Sequence, residues 1–170
     1  PARRVFYLAP FRSLAIEVEH TLADTFSWLG YGVSHLYGGS RVSSIDTQLA
    51  GESAITIATP EKARALLRAS PELFQNVKLI VVDEGHLIGA SERYVRNEVF
   101  LDHLRALAQA NDARLLLLSA VLPNPQELAE WVTGDANSVA VSPWKPSAER
   151  FGLLRWNGKR VRIDWEGDVK

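Results

Sequence analysis

A chain of 170 residues is long enough for one domain with a substantial core. Its 46% hydrophobic and 23% charged residues are those expected of a soluble globular protein. The absence of cysteine excludes disulfides and thiolate metal sites and suits a cytoplasmic protein. A net charge of −1 argues against holding nucleic acid by bulk charge, though a local basic face remains open. No window approaches the roughly 18 apolar residues of a membrane span, and no secretory signal opens the chain. The chain starts at Pro1, lacks methionine and enters a strand almost at once, so it reads as an excerpt from a longer protein.

Taken in order, Arg4 to Ala9 reads as a strand stopped by Pro10. Ser13 is the expected N-cap of a helix whose apolar face is Leu14, Val18, Leu22, Phe26 and Leu29, ended by Gly30 and Gly32. Val33 to Tyr37 is a second strand, Gly38-Gly39 turns the chain, and Val42 to Ala50 is helical or irregular. Ala54 to Ala58 is a third strand. Thr59-Pro60-Glu61 then starts a helix with a hydroxyl cap, a first-turn proline and an acid at the positive dipole end.

Val77 to Val82 is the innermost strand, and Leu79 to Val82 is apolar throughout, as expected of a strand buried on both faces in a parallel sheet. It ends at Asp83-Glu84. Ligands of α/β sheets bind at that end of a strand, where such carboxylates can hold magnesium and orient a water. A solvated acidic turn is the competing interpretation. A long helix follows from Glu92 to Ala110, with Phe100, Leu104 and Leu107 on one side, and then a continuous apolar strand from Arg114 to Leu118. Asn124 and Glu127 approach a capping box opening a helix that buries Leu128, Trp131 and Val132. Val139 to Val141 is the last expected sheet strand. Beyond Pro146 the texture changes: Phe151 to Trp156 and Lys159 to Trp165 flank Asn157-Gly158, a signal for a two-residue hairpin turn.

The expected fold class is therefore α/β. It is a three-layer parallel sheet with helices on both faces over residues 1–146, plus a C-terminal β-hairpin or linker over 147–170.

Five segments in succession carry a resemblance. They are Ala9-Pro10-Phe11-Arg12-Ser13-Leu14-Ala15, Gly38-Gly39, Ala58-Thr59-Pro60-Glu61-Lys62, Val82-Asp83-Glu84-Gly85-His86 and Leu118-Ser119-Ala120-Val121-Leu122-Pro123-Asn124. Together they resemble the first RecA-like, ATP-binding domain of a superfamily-two DExH/DEAD-box helicase, from about Phe6 to Val141. The resemblance implies ATP and Mg2+ as cofactors. Asp83 would hold the metal, Glu84 would polarise the attacking water, and His86 would link the nucleotide site to the Ser119 loop. It also places Pro10, Arg12, Ser13, Gly38, Gly39, Thr59, Pro60, Glu61 and Lys62 on a face contacting the backbone of a single nucleic-acid strand. Helix capping competes for Thr59 and Pro60, and ordinary solvated charge for Arg12 and Lys62. On the hairpin, Arg155, Lys159, Arg160 and Arg162 with Trp156 and Trp165 either grip nucleic acid or pack against a neighbour. Ser119-Ala120-Val121 departs from the family's Ser-Ala-Thr by one lost hydroxyl, which puts coupling to strand separation in question.

The family also needs a phosphate loop, G-x-x-x-x-G-K-[ST], and none occurs in these residues; Gly152 to Gly158 is spaced one residue too far. The expectation is thus a fragment of an ATP-dependent helicase or translocase acting on DNA or RNA. It would be inactive alone and partnered by a second RecA-like domain of the same parent. The alternatives are a degenerate helicase-like binding scaffold and the motor of a restriction or remodelling complex. A missing phosphate-loop strand should leave a gap, or another chain, between the Ser119 strand and Val139 to Val141.

Overall fold

In the computed structural model, residues 3–36, 38–39, 41–89, 91–142 and 151–166 are described, Arg93 by its backbone. Five strands, β1 (Arg4–Leu8), β2 (Val33–Leu36), β3 (Ile55–Ala58), β4 (Val77–Val82) and β5 (Arg114–Leu117), form an all-parallel sheet in the order β2-β3-β1-β4-β5. Parallel neighbours cannot be joined by tight turns. Helices make the crossovers: α1 (Arg12–Phe26), α2 (Ser44–Glu52), α3 (Pro60–Ala69) and α4 (Glu92–Ala110). A further helix, α5 (Pro125–Thr133), follows β5.

Strand alternation divides the core into two layers. Phe6, Leu8, Ala58 and Ile80 point to one face, where Ala63 and Leu66 of α3 and Phe100 and Leu104 of α4 cover them. On that side the Phe6 and Phe74 rings lie 4.8 Å apart. Val5, Tyr7, Ile55 and Ile57 point the other way onto Leu14, Ala15, Val18 and Leu22 of α1. The register runs Tyr7–Val81–Leu116 across β1, β4 and β5, so these three share the α1 face. Val81 is buried there, yet Leu116 and Leu118 are 45% and 38% exposed. β5 is an edge strand, and an apolar run that reads as interior is half open on one side.

Several local expectations change. The N-cap of α1 is Phe11, and Ser13 lies inside the first turn. Phe11 has extended dihedrals directly after Pro10, so the chain enters the helix two residues early and Phe11 supplies no side-chain acceptor. Asn124 is the cap position of α5 but makes no capping bond; its amide donates to Glu127 Oε2 at 2.7 Å. Residues 139–141 form no strand, because three residues without a paired neighbour gain no ladder to hold them extended. Tyr37, expected at the end of the second strand, lies outside the described residues.

The chain divides into two compact units, 1–139 and 140–170. The expected boundary at residue 146 falls outside the described residues. The second unit contains the antiparallel hairpin of β6 (Gly152–Trp156) and β7 (Val161–Trp165). Its turn is centred one residue later than expected. Asn157 flanks it, accepting from Lys159 N and Arg160 N, and Gly158 takes the first central position at φ +89°, as type II′ turns require. Arg155 and Arg162 both pair with Asp164 on one hairpin face. The opposite face carries Leu154, Trp156, Val161, Ile163 and Trp165.

Candidate active site

All five strands are parallel, so the segments after them gather at one edge of the sheet: Pro10 after β1, Gly38 after β2, Thr59 after β3, Asp83 after β4 and Ser119 after β5. This is the edge where open α/β sheets bind ligands. Asp83, Glu84 and Gly85 line a cleft there with Pro10, Pro60, Leu87, Ile88 and Asn97, floored by Leu8, Val82, Phe100, Leu101 and Leu104.

Asp83 N donates to Leu8 O at 2.9 Å, extending the β1–β4 ladder by one bond and fixing the residue at the strand end. Its carboxylate accepts from Glu84 N on Oδ1 at 2.9 Å and from the Tyr7 hydroxyl on Oδ2 at 2.6 Å. Burial, followed by the hydrogen bond and charge of Asp83, pushes the Tyr7 phenol far above its ordinary value, so it stays a neutral donor. No lysine or arginine pairs with Asp83 or Glu84 among the described residues. Glu84 has φ +52°, a left-handed conformation that a non-glycine residue adopts at a cost, and such strain clusters at functional sites. Gly85 N then bonds Leu118 O at 2.8 Å and Leu87 N bonds Glu84 O at 2.9 Å, closing a tight turn. A side chain at Gly85 would meet Leu117 at 3.2 Å, so the turn packs directly on β5.

His86 Nδ1 stands 3.2 Å from Glu84 Oε2 and 3.0 Å from Ser119 Oγ. The Ser119 hydroxyl donates to Val121 O at 3.1 Å and accepts from Val121 N at 3.2 Å. The imidazole tautomer sets which of His86 Nδ1 and Ser119 Oγ is the donor in their bond. One ring nitrogen thus joins the Glu84 carboxylate to the Ser119 loop. The position that departs from Ser-Ala-Thr takes part through its backbone alone, and the Val121 side chain is 67% exposed. Valine therefore leaves this loop intact.

Among the residues expected to face nucleic acid, Pro10 and Pro60 share the cleft with Asp83 and Glu84. Thr59 caps α3, accepting from Lys62 N at 3.4 Å. Arg12 and Ser13 are exposed in the first turn of α1, and Glu61 is exposed at the start of α3 with Arg64 at 3.7 Å. Gly38 turns at φ +84° and Gly39 is exposed beside it. Lys62, expected on the nucleic-acid-facing surface with solvated charge as the alternative, is an internal cation. It is 2% exposed, and its ammonium donates to Asp46 Oδ2 at 2.9 Å and Arg41 O at 2.7 Å. Burial raises the Asp46 carboxyl, but hydrogen bonds from Ser43 and Lys62 outweigh that and hold it below the usual range. Ser43 and Asp46 also complete a capping box on α2, a pattern visible in the sequence as Ser-x-x-Asp. Tyr7 had a fainter signal, a polar-tipped aromatic inside an apolar strand.

Each oxygen of Asp83 keeps one lone pair beyond the bond it accepts. A single carboxylate suits magnesium, which retains waters and takes phosphate oxygens for its other ligands. Among the described residues no group of three or more His, Asp or Glu side chains is placed to hold an ion unaided.

This fold and the grouping of segments at this sheet edge are those of a RecA-like helicase domain. The family model for DEAD/DEAH box helicases matches residues 1–128, and the chain belongs to that family. It is 42% identical over 169 residues to Hachiman protein HamB of Bacillus cereus, covering 99% of this chain and 15% of that protein. It is 36% identical over 143 residues to ATP-dependent DNA helicase Hel308 of Aeropyrum pernix, covering 84% of this chain and 18% of that one. The chain thus spans less than a fifth of the length of these relatives. A crystal structure of the DUF1998 helicase MrfA bound to DNA and AMPPNP superposes with a TM-score of 0.60 at 26% identity, covering 79% of this chain and 20% of that one. Among the described residues, no helix is long and apolar enough to cross a membrane.

Proposed function

We propose that the chain supplies one wall of the ATP site and part of the nucleic-acid-tracking face of an ATP-dependent DNA or RNA helicase or translocase. The observation that carries this reading is the placing of Asp83 and Glu84 in one cleft with Pro10 and Pro60, with His86 tying Glu84 to Ser119. Phosphoryl transfer needs positioning and charge neutralisation more than covalent chemistry, and the residues divide along those lines. Asp83 would hold a magnesium ion, which would supply charge neutralisation at the phosphates of a bound nucleotide. Glu84 accepts a hydrogen bond from the attacking water and orients it. His86 reports the state of Glu84 to the Ser119 loop. Pro10, Arg12, Ser13, Gly38, Gly39, Thr59, Pro60 and Glu61 lie along the sugar–phosphate backbone, and Lys62 braces the loops from within. The phosphate loop and a second RecA-like domain complete the site in the whole protein. This chain alone turns over no ATP.

The test is ATP hydrolysis by the full-length protein with and without single-stranded DNA or RNA, together with the salt dependence of binding to each. Turnover stimulated by one of the two, with log affinity falling linearly in log salt, supports the motor reading. Nucleic-acid binding without any turnover would favour the scaffold instead.

A further inference from the structure

We propose that Tyr7 is a positioning residue for the metal-holding carboxylate: its hydroxyl fixes Asp83 Oδ2 at the strand end while Glu84 N holds Oδ1. The inference rests on the nucleotide reading above and adds a residue outside the five segments that led to it. Tyr7 lies on β1, beside β4, paired with Val81 two residues before Asp83. From there the side chain reaches the strand end and places its oxygen 2.6 Å from Asp83 Oδ2. A carboxylate at a strand terminus has two soft torsions. The bond from Glu84 N to Oδ1 at 2.9 Å restrains one oxygen, and Tyr7 restrains the other. The ring of Tyr7 packs in the α1-side core, so the donor is anchored by the fold rather than by solvent. The phenol spends its one proton on Oδ2, so it holds that oxygen by donation. Loss of a supporting partner of this kind typically costs about 10–100-fold in metal affinity.

The test uses the full-length protein, with Mn2+ as a paramagnetic substitute for Mg2+, titrated by electron paramagnetic resonance in the presence of AMP-PNP. Tyr7→Phe keeps the ring and removes the hydroxyl. Its Mn2+ dissociation constant should rise about tenfold, while metal-free AMP-PNP affinity stays within about twofold. A structural loosening would weaken both together, and an unchanged Mn2+ affinity would overturn the proposal. Asp83→Asn separates the two readings. If it loses Mn2+ while Tyr7→Phe does not, only the role of Tyr7 falls; if wild type binds Mn2+ no better than Asp83→Asn, both fall. A second measurement leaves Tyr7 in place. In protein labelled with 3-fluorotyrosine, one fluorine resonance should respond to Asp83→Asn and the same one to Mg2+ with AMP-PNP. Two different resonances, or none, would contradict the assignment.

Discussion

Two acidic side chains in this chain are held by opposite means, and each has its own test. Asp46 is buried against Lys62 and hydrogen-bonded by Ser43, an internal pair that fixes the loop before α2 to the start of α3. Lys62→Met leaves that carboxylate buried without its cation, which should cost about 3 kcal/mol in chemical denaturation. A loss below about 0.5 kcal/mol would mean Lys62 is the surface charge its sequence context suggests. Because the folded Asp46 carboxyl lies below its unfolded value, its contribution is present above about pH 4 and fades as pH falls through the folded value. The stability gap between wild type and Asp46→Asn should therefore shrink from pH 7 toward pH 3; a constant gap would contradict this. Glu84 is held instead in a left-handed conformation. Glu84→Gly should raise stability by about 1 kcal/mol while removing turnover in the full-length protein, a trade typical of strained functional positions. Lower stability would show that the bond to His86 outweighs the strain.

At the scale of elements, the strong periodic signals were legible and the local chemistry at their ends was not. The helix Glu92–Ala110 and the strand ending at Val82 appear where the sequence puts them, since burial of a continuous apolar run or stripe tolerates little else. The cap of α1 lies two residues before Ser13, which satisfies the cap rule by residue type, because Pro10 and the extended Phe11 decide where the helix begins. Asn124 and Glu127 have capping-box spacing but bond side chain to side chain. In the hairpin, Asn157-Gly158 signals a turn correctly, yet the Asn157 side chain caps it from the flank and Gly158 moves into the centre. Within the candidate site, the five segments named Asp83, Glu84, His86 and Ser119, which the parallel sheet brings to one edge because they follow strand ends. Tyr7 and Asp46 act across the sheet or between helices, at separations in sequence that no local pattern encodes.

At the scale of the molecule, the unequal coverage of the sheet is the informative feature. α1 shields β1 and β3, whereas Leu116 and Leu118 on the same face are half exposed at the β5 edge. In the full-length protein the phosphate-loop strand and its helix should cover them. Leu116→Lys should then cost under about 0.5 kcal/mol in this chain alone and about 2 kcal/mol or more in the full-length protein. Equal costs in both contexts would leave that edge bare. The central claim is that Asp83 and Glu84 act on a magnesium-bound nucleoside triphosphate, and single-turnover hydrolysis by Glu84→Gln in the full-length protein tests it most directly. AMP-PNP binding should stay within about twofold while the hydrolysis step slows by about a thousandfold or more. Hydrolysis at the wild-type rate would contradict it.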